Sequence, residues 1–598
     1  MKEISRRSFL KGSAAAGGLA AMPALASGPS ALPRAWTYEA DVVVVGGGGA
    51  GLPAAIGARD RGLSVIVVDA NYDVGGHAIV SGGNVPLGGG TAQQKKYGIR
   101  DDPMTYFRDL TDWSVVETSG MPDYRYNDRT VQYAIAMNAA RTYDFLVANG
   151  VRFEDRAPDN LGAHAVGISA RREHHCVWKS GQCAESPAGA GGAALMRPLE
   201  YSARKKGVRF LLNYHMDEIF REDGGRGRVC GIQARYTPRI LPDGKRLESF
   251  RSEGGIDCRE PSVTVRARKA VVIATGGNSG NVEFRRIFDP RLTGEYANAA
   301  GEYSPQDASG ELAAMAVGAS LWGAANQAMD RNGSLRKRQV IGVRTNYVSW
   351  TKKSPVFPFV KYPGLRILNW QDAIIVNQAG RRFYSEFENG YPNGTHEGFY
   401  KDGAPYVQGS WRNTTRIKFR PRNYIDAALA LNEGSKPPLF SAGPQWAVFD
   451  SKGAAREHMK IEPGCCDPQV FFSAPTIEEL AQKINTSPWQ RSKMDPKALA
   501  ETVRRYNGFV DAHRDEDFDK PSPRFKIETG PFYAAWASFA VHDSYAGLRI
   551  DENCRVLDLR GRVIEGLYCG GESAGGCSQH GLGRTLTQGY IIGQKAGA

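Results

Sequence analysis

Six residues near the amino-terminal end, Gly46-Gly47-Gly48-Gly49-Ala50-Gly51, spell G-x-G-x-x-G between an apolar run and a helical one. In that context the motif carries chemistry. Gly46 permits a tight turn, Gly48 lets the backbone approach a pyrophosphate, and Gly51 lets a helix pack closely on its strand. Gly49 and Ala50 open that helix, whose unpaired N–H groups attract phosphate. Asp69, followed by Ala70, ends the next apolar run, where a carboxylate accepts hydrogen bonds from ribose hydroxyls. Two later apolar runs also end in glycine turns, the first at Ala274-Thr275-Gly276-Gly277 and the second at Gly570-Gly571-Glu572. The pattern calls for a bound dinucleotide.

These residues need a scaffold, and the flanking sequence supplies one. Val42 to Val45 is β-branched and wholly apolar, as a buried parallel strand should be. A helix from Leu52 to Arg61 follows, with Pro53 in its first turn, and a strand from Leu63 to Val68 closes a βαβ unit. Helical patterns recur over Thr130–Asn149 and Leu195–Lys206, a strand is expected over Val208–Leu212, and a β-rich stretch runs to Ala274. From Ile374 the texture changes to strand and turn, then to a long aromatic and arginine-rich segment; an amphipathic helix, Lys497–Asp511, comes near its end. The expected fold class is α/β, a Rossmann-like domain over 38–331 and 522–598 with an inserted α+β capping domain over 332–521 that would hold substrate.

Residues 1–26 read as a twin-arginine signal, with Arg6-Arg7 ahead of a short Ala- and Gly-rich stretch and Ala24-Leu25-Ala26 as the cleavage site; 27–37 is a linker. The mature protein is therefore expected in the periplasm, exported folded. A net charge of +13 over 598 residues is compatible with anionic partners, but the basic residues are scattered and not banked into a stripe, so nucleic acid is not expected. Nine cysteines form no disulfide framework, and no C-x-x-C-H occurs for a c-type haem. His174-His175-Cys176 with Cys183 matches no structural zinc spacing; it reads as a loop near the active site, and no metal is expected.

Over nearly all of the mature chain the sequence resembles the flavoprotein superfamily of fumarate reductase, succinate dehydrogenase and 3-ketosteroid dehydrogenase. The resemblance is carried by the motifs above together with Gly75-Gly76-His77-Ala78-Ile79-Val80-Ser81-Gly82-Gly83, Ile375 to Phe383, and Gly530-Pro531-Phe532-Tyr533-Ala534. It implies that the Rossmann-like domain binds FAD. It further implies that Glu572 holds the ribityl chain, that the turn at Ser81-Gly82-Gly83 lies against the isoalloxazine, and that a closing helix from Thr585 and Leu586 to Ala596 points its N-terminus at the ring. Gly76 and His77 fall in the same region. Succinate dehydrogenase-like members attach FAD through a histidine there, whereas the shorter spacing in this chain is closer to the ketosteroid dehydrogenases, which bind FAD noncovalently.

The resemblance also implies a reaction, the interconversion of CH–CH and C=C beside an activating carbonyl or carboxylate, in a direction the sequence does not assign. Glu386 follows Arg382-Phe383 as in the fumarate reductases, but the arginine expected four residues later is Gly390. An insertion precedes Arg422, so that Arg422, or failing it Arg416 or Arg420, would occupy the proton-donor position. Asp543-Ser544 stands where that family has His-Thr, which weakens a claim for fumarate, and no tyrosine occurs in the stretch Ser578–Arg584, which weakens one for a steroid. His580 and Arg584 are candidates to bind a substrate carbonyl or carboxylate, and His542 and Tyr545 to move a proton. Phe399, Tyr400, Tyr406, Trp411 and Tyr424 suggest an aromatic wall and a substrate larger than fumarate. Electrons would pass to or from a separate partner such as a cytochrome or quinone. The competing readings are a periplasmic enoate reductase of fumarate or urocanate type, and an FAD-bearing electron-transfer subunit with no substrate of its own.

Overall fold

The computed structural model describes residues 31–111, 127–159, 169–177, 191–290, 292–301, 303–323, 327–328, 339–344, 362–383, 386, 400–401, 404–405, 443–518, 520–538, 540–577, 579 and 581–597. The signal segment, Arg416, Arg420, Arg422, His580, Cys183, Phe399, Tyr406, Trp411 and Tyr424 lie outside these residues, as does the side chain of Tyr400.

The apolar run at Val42 belongs to strand β1, Tyr38–Val45, whose four valines are buried. Each such side chain contributes roughly 1.5–3 kcal/mol on leaving water, so the run is held at the centre of the sheet. Helix α1, Gly51–Asp60, and strand β2, Val65–Asp69, complete the βαβ unit. β1 pairs in parallel with β2 on one side and with Ser262–Ile273 on the other. Parallel pairing continues outward from β2 to Arg209–Leu212 and from Ser262–Ile273 to Val563–Cys569. An antiparallel edge strand, Arg555–Leu557, and the hairpin Tyr214–Arg221 with Val229–Tyr236 bring the sheet to eight strands. This is the mixed α/β architecture expected, with the glycine turns after Val45, Ile273 and Cys569 at one end of adjacent parallel strands.

The closing helix runs Leu582–Lys595 and starts three residues earlier than the sequence suggests. It lies on α1 with glycine against glycine: a Cβ on Gly57 would sit 2.8 Å from the Cα of Gly593, and one on Gly589 would sit 2.3 Å from the Ala50 carbonyl oxygen. The chain's last helix is thereby seated on its first dinucleotide helix.

A second, four-stranded sheet is built in the order Ile374–Val376, Trp446–Asp450, Phe532–Trp536, Phe471–Ala474, with antiparallel pairs throughout. Its last strand in sequence lies beyond Pro521. Both faces are covered. Ile374, Val376, Trp446, Val448, Ala534 and Trp536 face a core completed by Ile477–Ile484 and Pro496–Asp511, and the alternate residues Ile375, Ala447, Phe449 and Ala535 face Ile341, Ile367, Trp370 and Cys466. Asp495 caps the second of those helices by accepting from the Lys497 N–H, with Pro496 in the first turn, where no N–H is needed. Among the described residues no helix is long and apolar enough to cross a membrane.

Candidate functional site

The glycine turns converge on one cavity of about 680 Å³. Its wall includes Gly46, Gly48, Gly49, Ala50, Asp69, Ala70, Gly76, His77, Ser81, Gly82, Ala274, Thr275, Gly276, Glu572 and Thr585, which the sequence singled out. The other four cofactor candidates act from behind it. A Cβ on Gly51 would stand 1.8 Å from the Gly46 carbonyl oxygen, so this glycine serves helix–strand packing. Gly83 abuts the Gly191 carbonyl and Gly277 abuts Ser544, while Leu586 is buried in the main core.

The residues present suit a dinucleotide. Gly48 has no neighbour closer than 3.8 Å to its would-be Cβ, so the backbone there is open to a ligand in the cavity. Ala50 precedes α1 with no side-chain cap, and no acid occupies the helix's first turn, which leaves its N–H groups and positive end to an anion. The Asp69 carboxylate accepts from the Gly47 N–H at 2.7 Å and the Asn71 N–H at 2.8 Å. Burial pushes its pKa up, those hydrogen bonds pull it back, and it comes to about 6. It therefore pins the glycine turn to the end of β2 while each oxygen retains acceptor capacity for a hydroxyl.

At the end of the cavity beside Asp69, the wall includes Tyr214, His215, Met216, Arg239 and Tyr303. His215 is held between Asp217 and Asp307, each at 2.8 Å. Arg239 donates to the Tyr303 carbonyl at 3.1 Å. Farther along, Gln306 adopts a left-handed backbone, φ 50°, and its amide bridges the Gly276 carbonyl at 2.6 Å and Glu572 at 2.5 Å. Glu572 also meets His77 Nδ1 at 3.2 Å, and burial raises its pKa against the pull of that imidazole. Gln306, Arg239 and His215 carry no motif and were not legible from sequence.

The opposite end is walled by Ser81, Gly82, Asn84, Pro86, Glu173, His175, Gly191, His542, Asp543, Gly581 and Leu582. Asn84–Pro86 pairs antiparallel with Glu173–His175, so the segment read as a loop near the active site is a short strand in its wall. His174 points away from the cavity, bonded to Thr91 and to the Val85 carbonyl, and burial lowers its pKa to about 4. His542 Nδ1 lies 2.8 Å from Asp543, whose other oxygen accepts from the Gly581 N–H at 3.2 Å. The rings of His77 and His542 approach to 5.4 Å between centroids, and ligating atoms of His77, His542 and Asp543 all lie within 4.8 Å of one another.

Two candidates sit beneath the wall. Arg584 is fully buried and donates to the Cys577 carbonyl at 2.8 Å and the Ser544 carbonyl at 3.1 Å, with Tyr545 packed 5.3 Å from its guanidinium carbon. In this structure neither Arg584 nor Tyr545 lines the cavity, whereas His542 does. In the smaller sheet's domain, Glu386 accepts from Arg382 at 2.8 and 3.0 Å and lies 3.4 Å from Lys520, and Arg382 also reaches Asp515. This cluster is internal to that domain. No disulfide joins the eight described cysteines.

The FAD binding domain family matches residues 41–585, and the twin-arginine translocation signal family matches residues 3–23. A fumarate reductase (cytochrome) of Shewanella frigidimarina is 26% identical over 567 residues, covering 93% of this chain and 76% of that protein. A 3-oxosteroid 1-dehydrogenase of Mycolicibacterium smegmatis is 26% identical over 637 residues, covering 92% of this chain and 96% of that protein. A solved flavocytochrome c3 fumarate reductase in an open conformation shares the fold with a TM-score of 0.58 at 22% identity, over 94% of this chain and 78% of that one. Relatives of this kind bind small-molecule substrates, and some are named for a cytochrome partner. The chain belongs to the FAD binding domain family, and it is an FAD-dependent oxidoreductase addressed to the periplasm by a twin-arginine signal.

Proposed function

We propose that the enzyme interconverts CH–CH and C=C beside a carbonyl, with His542 exchanging the proton and Asp543 orienting it. The observation that carries this reading is the buried His542–Asp543 pair in the cavity wall, 2.8 Å apart, with the His542 ring 5.4 Å from that of His77. Bonding of Nδ1 to the carboxylate sets the imidazole's tautomer, so the other nitrogen trades the proton with substrate. Bound FAD supplies the hydride chemistry. For that cofactor, Gly46, Gly48, Gly49 and Ala50 present backbone to the pyrophosphate and Asp69 takes a ribose hydroxyl. Thr275, Gly276 and Glu572 follow the ribityl chain, and Gly76, Ser81, Gly82 and Thr585 wall the ring. The segment bearing the second sheet is the cap over the substrate.

A neutral carbonyl compound is favoured over a dicarboxylate. Among the described residues the ring end carries the acids Glu173 and Asp543, no lysine or arginine lines it, and the two terminal nitrogens of Arg584 donate to backbone carbonyls. A substrate carboxylate would face Asp543 at close range, and like charges in a desolvated site repel strongly. A second reading, an enoate reductase, is supported by the similarity to the Shewanella fumarate reductase and requires a cation from the segment holding Arg416, Arg420 and Arg422. Electrons pass to or from a separate carrier, a cytochrome or a quinone, since this chain holds no haem-attachment motif.

The test is turnover with an artificial electron carrier across enones, enoates and their saturated counterparts. Ketone-type substrates are expected to react, and His542→Ala to lose about 100- to 10,000-fold in rate while keeping its FAD. Turnover of enoates alone, or an active His542→Ala enzyme, refutes this assignment.

A further inference from the structure

Glu173 is 1% exposed and lines the ring end of the cavity, yet neither of its carboxyl oxygens makes a hydrogen bond of normal geometry among the described residues. Buried polar groups are almost always partnered, and one left bare is destabilising, more so if charged. The side chain is not needed to hold its own strand, because the backbone N–H and carbonyl of Glu173 already pair with Asp159 at 2.8 and 3.1 Å and Glu173 stands in register with Pro86. We propose that Glu173 is a cofactor-binding residue that nothing in the motifs announces, a neutral carboxylic acid whose O–H donates to an acceptor on the flavin ring system.

The surroundings favour the neutral form. Burial pushes the carboxyl well above its usual range, Asp159 behind it adds to the effect, and the Asn84 amide and Arg156 offset it only in part. On the same strand His174 points away from the cavity toward Thr91 and the Val85 carbonyl, and His175 is engaged on one side by Asn84 at 3.0 Å and on the other by Asp159 at 3.1 Å. An acid kept neutral in an apolar wall can donate a hydrogen bond at neutral pH. A donor aimed at a ring that gains electron density on reduction stabilises the reduced form more than the oxidised one.

The inference rests on the placement of the flavin ring beside Ser81 and Gly82, and the test separates the two. In substrate-free holoenzyme reduced with dithionite, Glu173→Ala is expected to change the ratio of reduced to oxidised FAD affinity about tenfold, lowering the two-electron potential by about 30 mV, and to shift the flavin absorbance bands. Glu173→Gln keeps a donor and is expected to hold the wild-type potential at pH 7. It should also lose the alkaline inflection in potential against pH that ionisation of Glu173 gives the wild type. If both variants keep the wild-type spectrum, potential and pH slope, Glu173 does not touch the flavin and the inference falls. If the shifts occur but His542→Ala retains full turnover, the inference stands and the catalytic assignment falls.

Discussion

Gly48→Ala and Gly51→Ala add the same methyl group to the same turn, and the structure gives the two substitutions opposite fates. At Gly51 the new Cβ would lie 1.8 Å from the Gly46 carbonyl oxygen and 3.2 Å from Val44 Cγ1. The first obstacle is backbone and the second a fully buried core side chain, so α1 must retreat from β1 by on the order of 1 Å or more, beyond the tolerance of a positioned site. Overpacking of this kind costs about 1–3 kcal/mol of stability before any ligand is considered. At Gly48 the nearest atom to the new Cβ would be the Gly75 carbonyl oxygen at 3.8 Å, an ordinary contact, so the folded apoprotein should accept the methyl group. The methyl group then takes up cavity space meant for pyrophosphate. A loss of about 1–3 kcal/mol in close approach is a roughly fivefold to 150-fold rise in Kd for FAD.

The assay pairs thermal unfolding of each apoprotein with FAD titration by fluorescence quenching. Gly51→Ala should lower the apoprotein's Tm and weaken FAD binding together. Gly48→Ala should leave the apoprotein's Tm at the wild-type value and weaken FAD binding alone. Wild-type FAD affinity in Gly48→Ala would refute the pyrophosphate placement, and an apoprotein Tm equally depressed in both variants would refute the distinction between packing and ligand glycines.

Two further outcomes follow from buried charge. Burial works against a charge on His215, but hydrogen bonds to Asp217 and Asp307 outweigh it and push the imidazole up to about 9, above its unfolded value of about 6.5. The stabilisation is therefore complete below about pH 6.5 and lost as pH rises through about 9; His215→Asn should cost stability at pH 6 and nothing above pH 9 in denaturant titrations, and a deficit independent of pH would contradict the reading. Arg584→Ala leaves the buried Cys577 and Ser544 carbonyls without their donor, each worth about 1–3 kcal/mol, so its apoprotein should unfold at lower denaturant concentration. A variant as stable as wild type but inactive would return Arg584 to the role of a substrate ligand.

How far the sequence reached depended on whether a residue's role was set by its neighbours in the chain or by residues brought in from elsewhere. β1, α1 and β2 were legible because a buried parallel strand has no polar face to disguise it and because G-x-G-x-x-G follows it directly: Gly51 is forced by the Gly46 carbonyl oxygen within the same turn, Gly46 by its left-handed φ and the Ala274 carbonyl, and Gly48 is left open to a ligand. The start of the closing helix was misjudged because Gly581 precedes it with φ 77° and no capping side chain, so none of the residue types that announce an N-terminus marks it. Arg584 was visible as a residue but not in its direction. The carbonyls it serves come from Cys577 and from Ser544, and the second is forty residues away. Glu173 and Gln306 were not visible at all, since one stands in the wall only because Glu173–His175 pairs with Asn84–Pro86 and the other reaches Glu572 only through a left-handed turn. With the cofactor placed as proposed, its phosphate end is encoded mainly by the local motif and its ring end by assembly. Substitutions at the phosphate end should follow the motif, whereas substitutions at the ring end should follow the three-dimensional neighbours of Glu173, His542 and Asp543.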